Sequence, residues 1–247
     1  MDFSLEGRIA LVTGASRGIG YALAYSIAKR GGHIIAVARG RKGLEALDDE
    51  IQTIGGSATL IPLDLSDGTA IDDLGQSLAK RFGRLDILVA NAGILGQLSP
   101  IGHGNPSIFD AVIAMNLTNQ WRLMRATEPL LRQSTAGRVM LLSSGVAHSA
   151  RALWGAYAAS KAGLEVLGRI WAEELKQTTI KVNMANPGAT RTQMRAQAMP
   201  AEDPTTLPTT HMVAEKLVAL TAPNLQKSGQ LFDARQGKFF SYRLPSQ

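Results

Sequence analysis

Short, almost unbroken apolar runs recur along the chain at 9–13, 34–38, 58–62, 87–90, 139–143, 180–185 and 230–232. Between them lie longer stretches in which apolar and polar positions mix at helical spacing: 18–31, 41–54, 67–82, 107–133, 155–177 and 211–221. A half-exposed strand alternates apolar and polar residues; a strand covered on both faces does not. The pattern therefore predicts an α/β fold: a doubly wound, mostly parallel sheet of about seven strands with helices on both faces. No repeat, low-complexity tract or linker divides it, so residues 1–247 read as one domain. Two segments break the rhythm. The stretch 187–210 is rich in Pro, Thr and Ala and too long for an ordinary connection, so 190–208 is expected to be a substrate loop or lid. The tail 237–247, GKFFSYRLPSQ, carries three aromatics outside the core pattern.

Composition narrows the function more than the fold. The chain of 247 residues is 45% apolar and 19% charged, ordinary for a globular protein. It has no cysteine, which excludes disulfides and thiolate metal sites and suits a reducing cytoplasm. The four histidines (33, 103, 148 and 211) are not paired in sequence, so no metal site is expected. The opening stretch MDFSLEGR does not read as a signal peptide, and no apolar run reaches the ~20 residues of a membrane helix. The net charge of +6 permits an anionic ligand. Lys and Arg are scattered rather than clustered, which argues against nucleic acid.

The first predicted strand runs directly into Thr13-Gly14-Ala15-Ser16-Arg17-Gly18-Ile19-Gly20. Glycines at a strand-to-helix turn let the backbone approach a pyrophosphate, which then sits on the helix N-terminus. This points to a Rossmann-type dinucleotide site. Such sites often place an acid at the end of the second strand to bond the ribose 2′-hydroxyl. Here Ala38 is followed by Arg39, and Arg17 stands in the loop itself. Two guanidinium groups suit a 2′-phosphate, so NADP(H) is expected over NAD(H). The same loop matches G-x-S-x-G, the nucleophile elbow of hydrolases, with Ser16 as the candidate serine. That alternative leaves Gly20 and the next motif unexplained.

WGAYAASKAG, 154–163, places Tyr157 and Lys161 four apart in a run of small residues. On a helix these share one face. A free tyrosine titrates near ~10 and exchanges protons poorly at neutral pH. A neighbouring ammonium is expected to lower that value and make Tyr157 a usable acid and base.

These motifs together resemble the short-chain dehydrogenase/reductase family over nearly the whole chain. TGASRGIG matches its cofactor loop, Asp64-Leu65 the adenine-binding acid and its neighbour, and Asn91-Ala92-Gly93 the segment beneath the cofactor ribose. Asn116, Ser144, Tyr157 and Lys161 match its catalytic set, with Ser144 chosen over Ser143 on spacing. Asn186-Pro187-Gly188, Thr190 and Thr192 match the turn that holds the nicotinamide amide. WGAYAASK, NPGATRTQMRA and FDARQGK resemble a YciK-like bacterial subgroup, whose physiological substrate is not established. The family often ends its last parallel strand with Asp-Gly-Gly, where this chain has Asp233-Ala234-Arg235.

The resemblance implies reduction of a ketone or aldehyde by NADPH, with Tyr157 as the acid and Ser144 polarising the carbonyl. Lys161 would serve both the phenol and the ribose, and Asn116 would hold a water leading to Lys161. It also implies a homodimer or homotetramer with a small-molecule substrate. A 3-oxoacyl thioester is an alternative substrate, and a non-catalytic NADP(H)-binding sensor or scaffold an alternative role. Ile94–Leu98, Val146–Trp154 and 190–208 are expected to line the substrate pocket.

Overall fold

The structure, a computed structural model, describes residues 3–242. Seven parallel strands run in the order β3-β2-β1-β4-β5-β6-β7, and an eighth closes the sheet. They are β1 (Ile9–Thr13), β2 (His33–Ala38), β3 (Ala58–Pro62), β4 (Ile87–Ala90), β5 (Arg138–Leu142), β6 (Lys181–Asn186), β7 (Leu231–Asp233) and β8 (Lys238–Phe240). Each parallel strand stands within one residue of its apolar run. The eighth strand is a difference from the sequence reading. It lies in the tail, pairs antiparallel with β7, and is too short and exposed to leave an apolar signature. Residues 243–247 of that tail lie outside the described residues.

The unbroken apolar runs have their expected cause. Ala10 and Val12 pack into a core on one face of the sheet, while Leu11 between them packs into the core on the other. Ile34 and Ala36 alternate with Ile35 and Val37 in the same way. Helices α1 (Gly18–Ala28) and α2 (Arg41–Thr53) cover the first face. Helix α3 (Gly68–Phe82) covers the second, begun by the Asp67 carboxylate, which accepts from the amides of Thr69 and Ala70. Gly83, left-handed at φ 70°, ends α3.

The helix expected over 107–133 is not continuous. It comprises α4 (Pro106–Ile113), a π-turn at Ala114–Thr118 and α5 (Asn119–Leu131). A five-residue π-turn inside a long helical stretch is too short for periodicity to separate it from its neighbours. Helix α6 (Gly155–Glu174) carries the Tyr–Lys pair. The long segment after β6 contains α7 (Gln193–Ala198), and α8 (Thr210–Leu217) follows it. Helix α8 packs on the α1 face, and α5 and α6 on the α3 face. Among the described residues no helix is long and apolar enough to cross a membrane.

Candidate active site

The strand order reverses between β1 and β4, which opens a crevice beyond the carboxyl ends of these strands. The glycine loop forms one wall. Gly14 and Gly18 adopt φ of 67° and 65°, which side chains rarely tolerate. Gly20 is fixed by proximity instead: a Cβ there would stand 2.4 Å from both the Asn91 amide nitrogen and the Gly14 carbonyl oxygen. Asn91 closes this cradle from β4, donating through Nδ2 to the carbonyls of Thr13 (2.9 Å) and Gly14 (3.4 Å). The Thr13 hydroxyl accepts from the amides of Asn91 and Ala92. Arg17 sits at the N-cap of α1 without capping it, so the first-turn amides are left facing the crevice. This backbone cradle fits a pyrophosphate.

Ser16 lies against α2, where a Cβ on Gly43 would stand 2.6 Å from the Ser16 carbonyl oxygen. Among the described residues neither a histidine nor a carboxylate hydrogen-bonds its hydroxyl, so the hydrolase alternative has no catalytic partners. Arg39 is largely exposed at the end of β2, and its nearest carboxylate is Asp64, 3.8 Å away. The amide of Ser66, more than Arg39, holds the Asp64 carboxyl below its usual range. The Arg17 guanidinium instead crosses the crevice and donates to the Gln193 side chain at the start of α7. The two arginines therefore border the crevice but share no partner. Leu65 is a buried core residue whose carbonyl accepts from Asn119.

The opposite wall is made by side chains from β5, the π-turn and α6. Tyr157 and Lys161 are both buried. Burial pushes the Tyr157 phenol up to about 12, and a hydrogen bond with Ser144 only partly offsets this. That reverses the expected lowering. Lys161 lies 5.8 Å from the phenol ring centroid, and its ammonium donates to the Leu142 carbonyl at 2.7 Å rather than to the phenol. Burial lowers Lys161 itself to about 8, while Glu165 acts in the opposite direction. At neutral pH both groups hold their protons.

Asn116 is completely buried within the π-turn. Its Nδ2 donates to the Ile94 carbonyl (2.8 Å) and the Ser160 hydroxyl (3.2 Å), and its Oδ1 accepts from the Ile94 amide (2.8 Å). The side chain thus braces the loop after β4 against α6 instead of being free for a water. Gly93 lets this loop come close: a Cβ there would stand 3.0 Å from the Asn116 Oδ1.

Beside Tyr157, the Trp154 ring meets the phenol edge-on, with centroids 5.9 Å apart. Leu153 before it is the one non-glycine residue with positive φ (76°) among the described residues. Such a conformation costs on the order of 1–3 kcal/mol and persists where surroundings enforce it. Here the Ser99 amide donates to the Leu153 carbonyl. Leu95, Leu98, Val146, Met194, Met199 and Ala198 complete an apolar cluster around Trp154 and Tyr157.

The turn after β6 is held from β7 and the β7–β8 turn. Asn186 donates to the Asp233 carboxylate at 3.0 Å and accepts from the Gly188 amide at 3.1 Å. Gly188 (φ 72°) packs under the Arg235 side chain, which a Cβ would approach to 2.7 Å. Asp233 also accepts from the amides of Arg235 and Gln236, so it tightens the turn in place of the Gly-Gly that this chain lacks. Pro187 lies within this turn, and Thr190 is buried beside it. Thr192 accepts from the Arg195 amide and caps α7. The 190–208 segment is braced internally. Arg191 donates to the carbonyls of Pro204, Thr205 and Leu207, and Arg195 pairs with Glu202.

The sequence profile of the short chain dehydrogenases matches residues 8–203. The chain belongs to this family. It is similar to the uncharacterized oxidoreductase YciK of Escherichia coli K12, at 38% identity over 95% of this chain and 94% of that one. It is 34% identical to the 3-oxoacyl-[acyl-carrier-protein] reductase FabG of the same organism, over 77% of each chain. A short-chain dehydrogenase of Shigella flexneri crystallised with NADP superimposes with a TM-score of 0.90 at 36% identity, covering 95% of this chain and 100% of that one. As a short-chain dehydrogenase, the chain is an oxidoreductase.

Sequence reasoning missed two members of the side-chain wall. Glu165 is one helical turn beyond Lys161, a spacing that could have pointed to it. Tyr242, which contacts Glu165, is one of the three tail aromatics outside the core pattern, and nothing in the sequence ties it to Glu165.

Proposed function

We propose that this chain is an NADP(H)-dependent reductase that converts a ketone or aldehyde to an alcohol. The observation that carries the reading is the buried Tyr157 phenol with the buried Lys161 ammonium 5.8 Å from its ring centroid, across the crevice from the glycine cradle. NADPH held by that cradle would supply a hydride to the carbonyl carbon. Its pyrophosphate fits Gly14, Ser16, Gly18, Ile19 and Gly20 at the α1 N-terminus. Arg39 and Arg17 favour a 2′-phosphate, which is the cofactor form crystallised with the Shigella relative. Asp64 and Leu65 suit the adenine, Asn91, Ala92 and Gly93 the ribose, and Pro187, Gly188, Thr190 and Thr192 the nicotinamide amide.

Tyr157 gives its proton to the carbonyl oxygen as negative charge develops there, and the oxygen becomes the alcohol hydroxyl. The Ser144 hydroxyl donates to that oxygen and stabilises the charge without reorganisation. The Lys161 ammonium steadies the resulting phenolate and binds ribose hydroxyls. Asn116 keeps the Gly93–Ile94 loop at the distance this requires. A protonated phenol at rest suits reduction, because the step consumes the proton that burial retains.

The apolar side chains clustered around Trp154 and Tyr157 suit a moderately apolar carbonyl compound. A 3-oxoacyl thioester is the second reading, favoured by the similarity to FabG. Segment 190–208 would act as the lid, with its internal braces letting it move as a unit. Exposed Trp121 on α5 and Val166 and Ile170 on α6 suit a homodimer or homotetramer. The chemistry is that of a cytoplasmic enzyme acting on a small molecule. A panel of ketones, aldehydes and 3-oxoacyl thioesters, followed by loss of the reduced nicotinamide absorbance, tests the reading. NADPH oxidation that depends on a carbonyl substrate supports it. Tight NADPH binding with no turnover across the panel would favour a sensor or scaffold instead.

A further inference from the structure

Helix α6 carries a third buried titratable group, Glu165, which the proposed chemistry does not use. Its side chain is 2% exposed. Three separate parts of the chain converge on it. The Ser143 hydroxyl, beside Ser144 at the end of β5, donates to Oε1. The His148 Nε2, from the turn that follows, lies 2.8 Å from Oε2. The Tyr242 hydroxyl, from the tail beyond β8, donates to the same oxygen at 2.6 Å. The tail is fixed further by Arg169, one turn along α6, whose guanidinium lies 4.2 Å from the Tyr242 ring centroid. Burial, and then the bond to Glu165, push the Tyr242 phenol well above the usual tyrosine range, so it remains a donor.

Resting on the reductase reading, we propose that Glu165 is a positioning residue which ties the C-terminal tail to the Ser144–Tyr157–Lys161 site. A buried carboxylate is costly unless its oxygens are satisfied, and removing a donor leaves that cost uncovered. The tail therefore helps hold the carboxylate in place. The carboxylate in turn fixes the Ser143–Ser144 strand end against α6. It also stands one turn from Lys161 and acts to keep that ammonium charged. The charged or titratable groups facing Glu165 are His148 and Tyr242 from the other elements and Lys161 and Arg169 from its own helix. This coupling gives the FDARQGKFFSY stretch a role: Asp233 folds the hairpin back, and the returning strand brings Tyr242 to the site.

The test follows the Lys161 Cε resonance in lysine-labelled protein, assigned by its loss in Lys161→Arg. Wild-type Lys161 should titrate near 8. Glu165→Gln should lower that midpoint by roughly one unit, as expected for loss of a charge one turn away in a partly screened interior. An unmoved midpoint would overturn the coupling to Lys161. Tyr242→Phe removes only the tail's hydroxyl and tests the tie even where the Gln variant does not fold. It should speed amide exchange across 143–148 by roughly tenfold, while the Lys161 midpoint stays in place. Unchanged exchange there would show that the tail is a passive cover and overturn the proposal. Neither readout needs a substrate, so a failed carbonyl panel and a failed titration are separate results.

Discussion

The two walls of the crevice are built on different principles. The wall at β1 and β4 is made of backbone. Its specificity lies in what is absent, since a single added Cβ at Gly20 would meet two polar atoms at 2.4 Å. The wall at β5 and α6 is made of side chains drawn from distant segments, each useful only because another holds it. Asn116 needs Ile94 and Ser160, and Glu165 needs Ser143 and Tyr242. A backbone wall grips a ligand common to many reactions. A side-chain wall sets which reaction follows, and its protons can be tuned by burial.

The sharpest way to separate the walls is to remove one oxygen from the side-chain wall. Tyr157→Phe keeps the ring against Trp154 and should lower turnover by roughly 10²–10⁴ on whichever carbonyl the panel identifies. NADPH affinity, by fluorescence titration, should hardly change. Retention of more than a few per cent of turnover would remove Tyr157 as the acid. The converse change is Gly20→Val, which fills the backbone wall. It should weaken NADPH binding by about a hundredfold, since displacing a bound group by ~1 Å costs that order. Circular dichroism would check that the fold survives, and near-normal affinity would show that the cradle is not the cofactor site.

A smaller effect is expected at the outer corner of the backbone wall. Arg39→Asp should cut the preference for NADPH over NADH by roughly tenfold or more, the scale of one charged hydrogen bond. Equal wild-type affinities for the two cofactors would defeat the idea before any variant is made. The smallest effect is a pH dependence. Lys161 titrates at about 8, below its ordinary 10.5, so its ammonium is present below that pH and lost above it. NADPH affinity should therefore fall several-fold as pH rises through about 8. Lys161→Met should be weaker throughout and flat over the same range.

The contrast also explains what could be read in advance. Positions 9–13 and 87–90 read as strands because burial on both faces leaves only Thr13 polar among them. Gly14, Gly18 and Gly20 read as a cradle because positive φ at the first two and close backbone approach at the third favour glycine. In the side-chain wall, Tyr157 and Lys161 could be read from their spacing on one helix, Asn116 and Ser144 only through the family resemblance, and Glu165 on that same helix was missed. The cluster of Ser143, His148, Glu165 and Tyr242 spans 100 residues of sequence and exists only once the β7–β8 hairpin has folded back. The break at Asn116 was hidden because a five-residue π-turn is too short to stand out from the helical stretches on either side. The sign of the Tyr157 shift was missed because spacing shows a neighbouring cation but not how dry the phenol is.

The eighth strand has a consequence for the molecule's behaviour in a crowded solution. An open sheet offers the unpaired amides and carbonyls of its outer strands as a template for other chains. On one side the outer strand is β3, which ends in Pro62, a residue with no amide to donate. On the other side β8 stands over β7, whose three residues are fully buried. It turns an exposed Lys238 outward and stops after three residues. A chain cut before Lys238 would bare the apolar Leu231–Phe232 edge, and self-association would compete with the folded state.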